Sequence, residues 1–270
     1  STVVTSISFD SNNRLFIAGI TSTSTGLPVE DDGTAFYDGT LNGLSDGFIA
    51  RFDSHFDKEW CTYFGGDDQE RINDLTLDDN DNLFFIGASL SESIPSVNSV
   101  SSSFYEDEFQ GSGSNINSVW LGDGMLGKLN STGVRQYVSY YGGAADEEGL
   151  TIISGNSHIV TTSATFSDPI MMATPNLANA YVVSEHADGE DIVEDGYLLV
   201  LDQDMDDVWS TYLGGSGSGG LTGQDLAYSA VISNNRLFVV GASRSTNFPT
   251  VQQSGSYFDE SNSMVDGFIM

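Results

Sequence analysis

The sequence predicts an all-β chain whose four-stranded antiparallel blades form a β-propeller, and three observations lead there. A hairpin unit opens on Asp-Gly-aromatic (methionine in its second copy) and closes on Tyr-x-Gly-Gly. It starts at Asp46, Asp123 and Asp195, and starts again at Asp266. From the Asp to the first Gly the spacing is 19 residues in each complete copy, Asp46 to Gly65, Asp123 to Gly142 and Asp195 to Gly214. A strand–turn–strand phrase precedes each hairpin, so one repeat holds four strands, a to d. No stretch carries the 3.6-residue apolar period far enough for a helix. Successive Gly-Gly pairs lie 77 and 72 residues apart, a period that suits propeller blades better than solenoid turns.

Strands a and b are first written as SISFDSNNRLFIAGITS. Ile7 and Phe9 alternate with polar residues, Asp10 to Asn13 supply turn chemistry, and Leu15 to Ile17 form an apolar run ending at Gly19. The phrase returns as DLTLDDNDNLFFIGAS up to Gly87 and AVISNNRLFVVGAS up to Gly241. A worn copy, LTIISGNSHIVTTSA, has Thr162 in the glycine position. In strand c, Phe48, Ala50 and Phe52 share one face and Ile49 takes the other; the matching sets are Met125, Gly127, Leu129 and Tyr197, Leu199, Leu201. Both faces are apolar, as expected of a sheet packed between two others. Strand d places Trp60, Tyr137 and Trp209 five residues before the Gly pair, and Tyr63, Tyr140 and Tyr212 two before it. Recurrence at one position per repeat predicts core packing for these rings rather than a sugar-stacking platform.

The register divides the chain into blades at 1–64, 65–141, 142–213 and 214–270, the last incomplete. About four blades are present, read as an arc of a larger ring or a fragment of something longer, because closed rings typically take four to eight. Strands a and c run in the same direction, so the a–b and c–d turns lie together and the b–c loops emerge opposite. The b–c loops vary most in length and carry the densest acid: Glu30, Asp31, Asp32 and Asp38; Glu106, Asp107 and Glu108; Glu185, Asp188, Glu190, Asp191 and Glu194; Asp259 and Glu260. Loops held on one face of a rigid scaffold are where binding is expected.

Composition excludes several functions. With 39 acidic residues against 8 basic, the net charge of −31 makes nucleic acid and anionic membranes poor partners, since both need a basic patch. Hydrophobic content of 39% with 11% aromatic supplies a core and argues against disorder. Cys61 stands alone, so no intrachain disulfide framework is expected, and mid-strand it reads as a small buried hydrophobe. No apolar run approaches the ~18 residues of a membrane span.

The pattern D-x-N-N-x-L-[FI]-[IV]-x-G-x-[TS]-S, a Pro-containing loop, DGF, and then W-x-T-Y-x-G-G resembles the bacterial SBBP repeat, and VVGASRSTNFPT before DGFIM resembles it especially. The resemblance covers the whole chain as roughly four repeats. Departures are the worn phrase at Ser154–Ala164 and the long acidic b–c insertions of the middle repeats. The resemblance implies a β-propeller module of large secreted or cell-surface bacterial proteins, many of which carry C-terminal sorting domains, and implies no particular catalytic residues. The expected function is therefore a non-enzymatic extracellular scaffold for adhesion or protein interaction. Its partners would be a protein or surface glycan met through the b–c loops, or bacterial secretion and surface-attachment machinery. The alternative is a secreted carbohydrate-active enzyme with a carboxylate pair in the propeller funnel.

Calcium is the most concrete ligand to consider. Asp202, Asp204 and Asp206 form D-x-D-x-D, and Asp78, Asp79 and Asp81 a second cluster; hard cations require several oxygen ligands at ~2.3–2.6 Å. Neither stretch matches an EF-hand loop, because Asp207 stands where its Gly belongs, and ordinary turn chemistry accounts for both. His55, His158 and His186 fall at unrelated repeat positions, and GSGSG within the run from Gly214 lacks the helix a nucleophile elbow needs. No catalytic residue is assigned.

Overall fold

Short apolar runs punctuated by Asx-rich turns become strands throughout. The computed structural model describes residues 1–270 apart from 112–113, 117–118, 169, 171–182, 184–193, 216–222, 252–253 and 256–264, and only the backbone of 114–116 and 119–121. Among the described residues there are eighteen strands and no helix. The all-β expectation is met.

The first sheet pairs β1 (Thr2–Phe9), β2 (Leu15–Thr21), β3 (Asp46–Phe52) and β4 (Lys58–Phe64) in that order, each antiparallel to the next. The second repeats the order with β5 (Glu70–Leu77), β6 (Leu83–Ser89), β10 (Asp123–Leu129) and β11 (Arg135–Tyr141). A short β7 (Val97–Asn98) pairs outside β11, and β8 (Ser114–Ile116) forms a separate hairpin with β9 (Val119–Leu121). The third runs β12 (Glu147–Gly155), β13 (His158–Thr165), β14 (Asp195–Asp202) and β15 (Asp207–Leu213). The last comprises β16 (Asp225–Ser233), β17 (Arg236–Ser243) and β18 (Asp266–Ile269), linked to the third by a parallel bridge between Asp195 and Asp225. Strands a to d of the sequence are these strands in order.

Local geometry repeats as faithfully as the sequence. Every a–b pair bulges at one place, at Thr5, Asn73, Leu150 and Tyr228, and the three complete c–d pairs bulge at Glu59, Gln136 and Val208. One extra residue bends and twists a strand, so each sheet acquires the same shape. The turns are Asx loops. Asp202 Oδ1 accepts the amides of Asp204 at 2.8 Å and Asp206 at 3.0 Å, as Asp53 does from His55 and Asp57, and Asn130 from Thr132 and Val134. Asp10 and Asp78 do the same at the a–b turns. In all five the third residue after the Asx has positive φ: Asn13, Phe56, Asp81, Gly133 and Met205. Phe and Met rarely adopt that conformation, so the side-chain cap must hold it.

The sheets pack face to face in chain order. Phe16, Ile49, Trp60 and Phe64 of the first meet Ile72, Phe85, Met125 and Tyr140 of the second. Phe84, Leu126, Tyr137 and Tyr141 on its other face meet Ile152, Tyr197, Leu199 and Tyr212 of the third. Val160, Leu198 and Leu213 then meet Ala227 and Val239 of the last. This sandwiching explains why β6 and β10 are buried at every position. Of the strand-d aromatics, Trp60, Tyr63, Tyr137, Tyr140 and Tyr212 are core residues, as expected, whereas Trp209 is only half-buried. Tyr63, Tyr140 and Tyr212 each donate their hydroxyl to the carbonyl two residues past strand b, on Thr23, Ser91 and Ser167.

Candidate functional site

A buried acid opens strand a in three sheets: Glu70, Glu147 and Asp225, all at most 1% exposed. Each backbone N–H donates to the carbonyl of the residue just before the DG motif of the preceding sheet, Ser45 at 2.8 Å, Gly122 at 2.6 Å and Glu194 at 3.3 Å. The acid therefore sits beside the DG aspartate of that sheet. Asp46, Asp123 and Asp195 are buried to the same degree. Three carboxyl pairs result, Asp46–Glu70, Asp123–Glu147 and Asp195–Asp225, one at each sheet-to-sheet joint.

The hydrogen bonds explain the neighbouring motifs. Glu70 Oε2 accepts the Gly66 amide at 2.7 Å, while Oε1 accepts the hydroxyls of Ser89 at 2.7 Å and Ser91 at 2.5 Å. Glu147 takes the Gly143 amide and the Thr165 hydroxyl. Asp225 takes the Gly215 amide at 2.7 Å and the Ser245 hydroxyl. The second glycine of each Gly-Gly pair thus donates to the joint, and the [ST]-x-[ST] tail of strand b closes it. The first glycine makes room: a Cβ on Gly65 would lie 2.8 Å from Asp46 Cγ, and Cβ atoms on Gly142 or Gly214 would press on Glu147 or Asp195 well inside 3.0 Å. The DG aspartates fasten the end of the b–c loop, Asp46 accepting the amides of Asn42 at 3.1 Å and Gly43 at 3.2 Å and Asp123 that of Gln110 at 2.7 Å.

Removing Asp46, Glu70, Asp123 and Glu147 from water disfavours their charged forms. Burial pushes Glu70 and Glu147 to about 7 and Asp123 to about 8, with like charge from Asp46 adding to Glu70 and from Glu147 to Asp123. Burial raises Asp46 as well, against the Asn42 and Gly43 amides. Buried to this degree, Glu70, Asp123 and Glu147 can hold protons while ordering the backbone amides around them.

The acids singled out in the sequence lie elsewhere. Asp202 caps its turn, Asp206 accepts the Ser103 amide at 2.8 Å and hydroxyl at 3.0 Å, and Asp78 caps an a–b turn. Among the described residues no three His, Cys, Asp or Glu side chains converge as a metal site. The b–c loops run along strand d: Tyr63, Tyr140 and Tyr212 donate their amides to Asp38, Glu106 and Val183, whose amides reach the hydroxyls of Thr62, Ser139 and Thr211. Glu30 pairs with Lys58 at 3.0 Å and Asp32 with Arg51 at 3.4 Å. Glu185, Asp188, Glu190, Asp191, Asp259, Glu260 and His186 lie outside the described residues. His55 is exposed, and Cys61 is buried with its thiol pushed up to about 11 by burial.

Sequence reading valued the DG motif as a hairpin marker and missed its carboxylate, and it missed the strand-a acids. A signal was present in GGDDQE and GGAADE, where the acid follows the first glycine by five residues; the longer joint before Asp225 breaks that spacing. Compared with known proteins, the chain matches no family model and no curated protein. Among the described residues no helix is long and apolar enough to cross a membrane.

Proposed function

We propose that the chain is an arc of an SBBP-like β-propeller, blades 1–64, 65–141, 142–213 and 214–270, acting as a non-enzymatic scaffold in a secreted or surface-attached bacterial protein. Its b–c loops present an acidic surface to a protein or surface glycan, or to secretion and attachment machinery. Support for the propeller comes from neighbouring strands a: Thr5 donates to the Ile72 carbonyl at 2.6 Å, and Asp74 accepts from Ser6 on one side and Thr151 on the other, both at 2.6 Å. Sheets bulged at matching positions and linked at strand a support a radial arrangement of blades.

The observation that carries the scaffold reading is the fate of the raised-pKa acids. Glycoside hydrolysis needs two carboxyl groups facing one substrate, whereas Asp46–Glu70 and Asp123–Glu147 are sealed in joints and spent on backbone amides. The deciding experiment incubates the protein with a panel of bacterial and plant polysaccharides at pH 5 to 8, following reducing-end release and binding together. Retention of a glycan or protein without turnover is expected; saturable hydrolysis would overturn the reading.

A further inference from the structure

We propose that a groove between the first two b–c loops, beside Arg135, binds the terminal carboxylate and apolar last side chain of a partner polypeptide. The inference rests on the interaction-scaffold reading above and names what one of its surfaces takes.

One negative charge is missing from the second sheet. Strand d opens on a cation in both of the first two sheets, twelve residues after the DG aspartate, from Asp46 to Lys58 and from Asp123 to Arg135. Each cation donates to the carbonyl of a loop proline, Lys58 to Pro28 at 2.7 Å and Arg135 to Pro95. Lys58 is then neutralised by Glu30 at 3.0 Å. Glu30 is placed there by its backbone pairing with Cys61. The counterpart of Cys61 in the second sheet is Val138, and its partner is Val97. A valine therefore stands where the first sheet has its glutamate. Among the described residues no carboxylate pairs with Arg135. The third sheet has Asp207 at this position and presents no cation.

The space beside the guanidinium is open. A groove of about 220 Å³ is lined by Thr34, Ala35 and Phe36 of the first loop, Val97 of the second, and Val134 and Arg135 at the start of β11. Its first wall is well held. Asp32 accepts the Thr34 and Ala35 amides at 2.9 and 2.8 Å, and the Gly133 carbonyl accepts the Phe36 amide at 2.9 Å. The Asp32 carboxylate pairs with Arg51 at 3.4 Å rather than with Arg135. Arg135 lies over the Phe36 ring, 4.1 Å from its centroid. Among the described residues its one hydrogen-bond acceptor is the Pro95 carbonyl, so most of its five N–H donors remain for a ligand.

These surroundings select the occupant. A guanidinium takes a carboxylate through two parallel hydrogen bonds, while Ala35, Val97 and Val134 offer apolar surface. Thr34 is the one hydroxyl among the lining side chains, too few for the many hydroxyls of an acidic sugar. The Phe36 ring is already packed against Arg135 and Phe64, so it is no stacking platform. The last residue of a polypeptide carries carboxylate and apolar side chain on one carbon, and both fit a groove of this size. The net charge of −31 repels anions at long range, but salt at 150 mM screens that repulsion beyond ~8 Å.

The probe is the peptide acetyl-Gly-Ala-Val with a free carboxylate, titrated into the full chain at 150 mM salt and followed by methyl NMR. Saturable shifts are expected at Ala35, Val97 and Val134, and the same peptide ending in a carboxamide should bind at least tenfold more weakly. Arg135→Gln should bring the free-carboxylate peptide down to the level of the amide. Val97→Glu rebuilds the ion pair of the first sheet and should block the groove equally while the melting temperature holds or rises, which separates loss of the site from loss of the fold. Isovalerate and glucuronate are titrated alongside. Binding of either as tight as the peptide would assign the groove to a free acid or an acidic sugar and overturn the proposal. Absence of saturable shifts, equal binding of the amide, undiminished binding to Val97→Glu, or shifts lying elsewhere would overturn it too. Glycan turnover, by contrast, would remove the scaffold reading and leave this result standing.

Discussion

Gly142 has no Cβ because Glu147 Oε2 occupies the space one would fill. Gly142→Ala should cost about 1–3 kcal/mol, the usual range for forcing atoms into a packed interior, read as a lower urea midpoint at unchanged slope. The acid itself gives stability a pH dependence. Glu147 has an ordinary value of 4.5 and is raised to about 7 in the fold. Below pH 4.5 it is protonated whether folded or not and costs nothing. Between 4.5 and 7 the unfolded chain ionises while the folded one keeps its proton, so stability falls as pH rises, and above 7 the penalty is constant. Glu147→Gln should flatten that part of the curve, by up to about 2–3 kcal/mol between pH 4.5 and 8. Parallel curves for the two proteins would show that the carboxyl stays charged inside the joint. Asp53, Asp81 and Asp206 act in the opposite sense: hydrogen bonds hold each below its ordinary value, so what they add is lost only as pH falls toward that lower range. The glycine pair was visible in the sequence at once, but its reason was not. The acid that needs it sits five residues on in two joints and eleven in the third, and burial cannot be read from spacing.

Strand order was the legible part of the elements, because Asx turns and apolar runs recur in register and antiparallel neighbours joined by short turns have few other ways to pair. Loop placement was not legible. The b–c loops were expected to emerge opposite the turns; that Asp38, Glu106 and Val183 hydrogen-bond to strand d had no sign in the sequence. These contacts use backbone groups of irregular segments, which leave no periodic trace. Such loops also cover the outer strands, which would otherwise present bare edges. Between sheets, Asp74 is the main polar rivet, accepting Ser6 and Thr151 hydroxyls at 2.6 Å and the Ile152 amide at 3.0 Å. Asp74→Ala should cost about 2–3 kcal/mol, in line with hydrogen bonds to charged groups, and hydrogen exchange should quicken in β1, β5 and β12 together. Tyr140→Phe is milder, about 1 kcal/mol for one buried hydroxyl, unless the Ile94 amide finds no other acceptor.

Across the whole molecule, an excess of 31 negative charges opposes compaction. Raising NaCl from about 10 mM toward 500 mM should lift the melting temperature by several degrees, since the screening length falls from ~30 Å toward ~3–10 Å over that range. Chelation should leave the melting temperature unchanged, because Asp202 and Asp206 already accept backbone amides; a drop with EDTA that calcium reverses would restore Asp202, Asp204 and Asp206 as ligands. The twist of each sheet stayed out of reach of the sequence for a physical reason, since it depends on bulges that no residue pattern announces. The tethering of each b–c loop to strand d has a practical side. Because the first two b–c loops are each pinned at a joint aspartate and again along strand d, exposed stretches between such pins can change length and composition while the folded frame stays as it is. A designer could splice a foreign epitope at the exposed tip around Gly33, where nothing lies within 4 Å of the place a Cβ would take, and natural variation has the same freedom to try new surfaces on an old support.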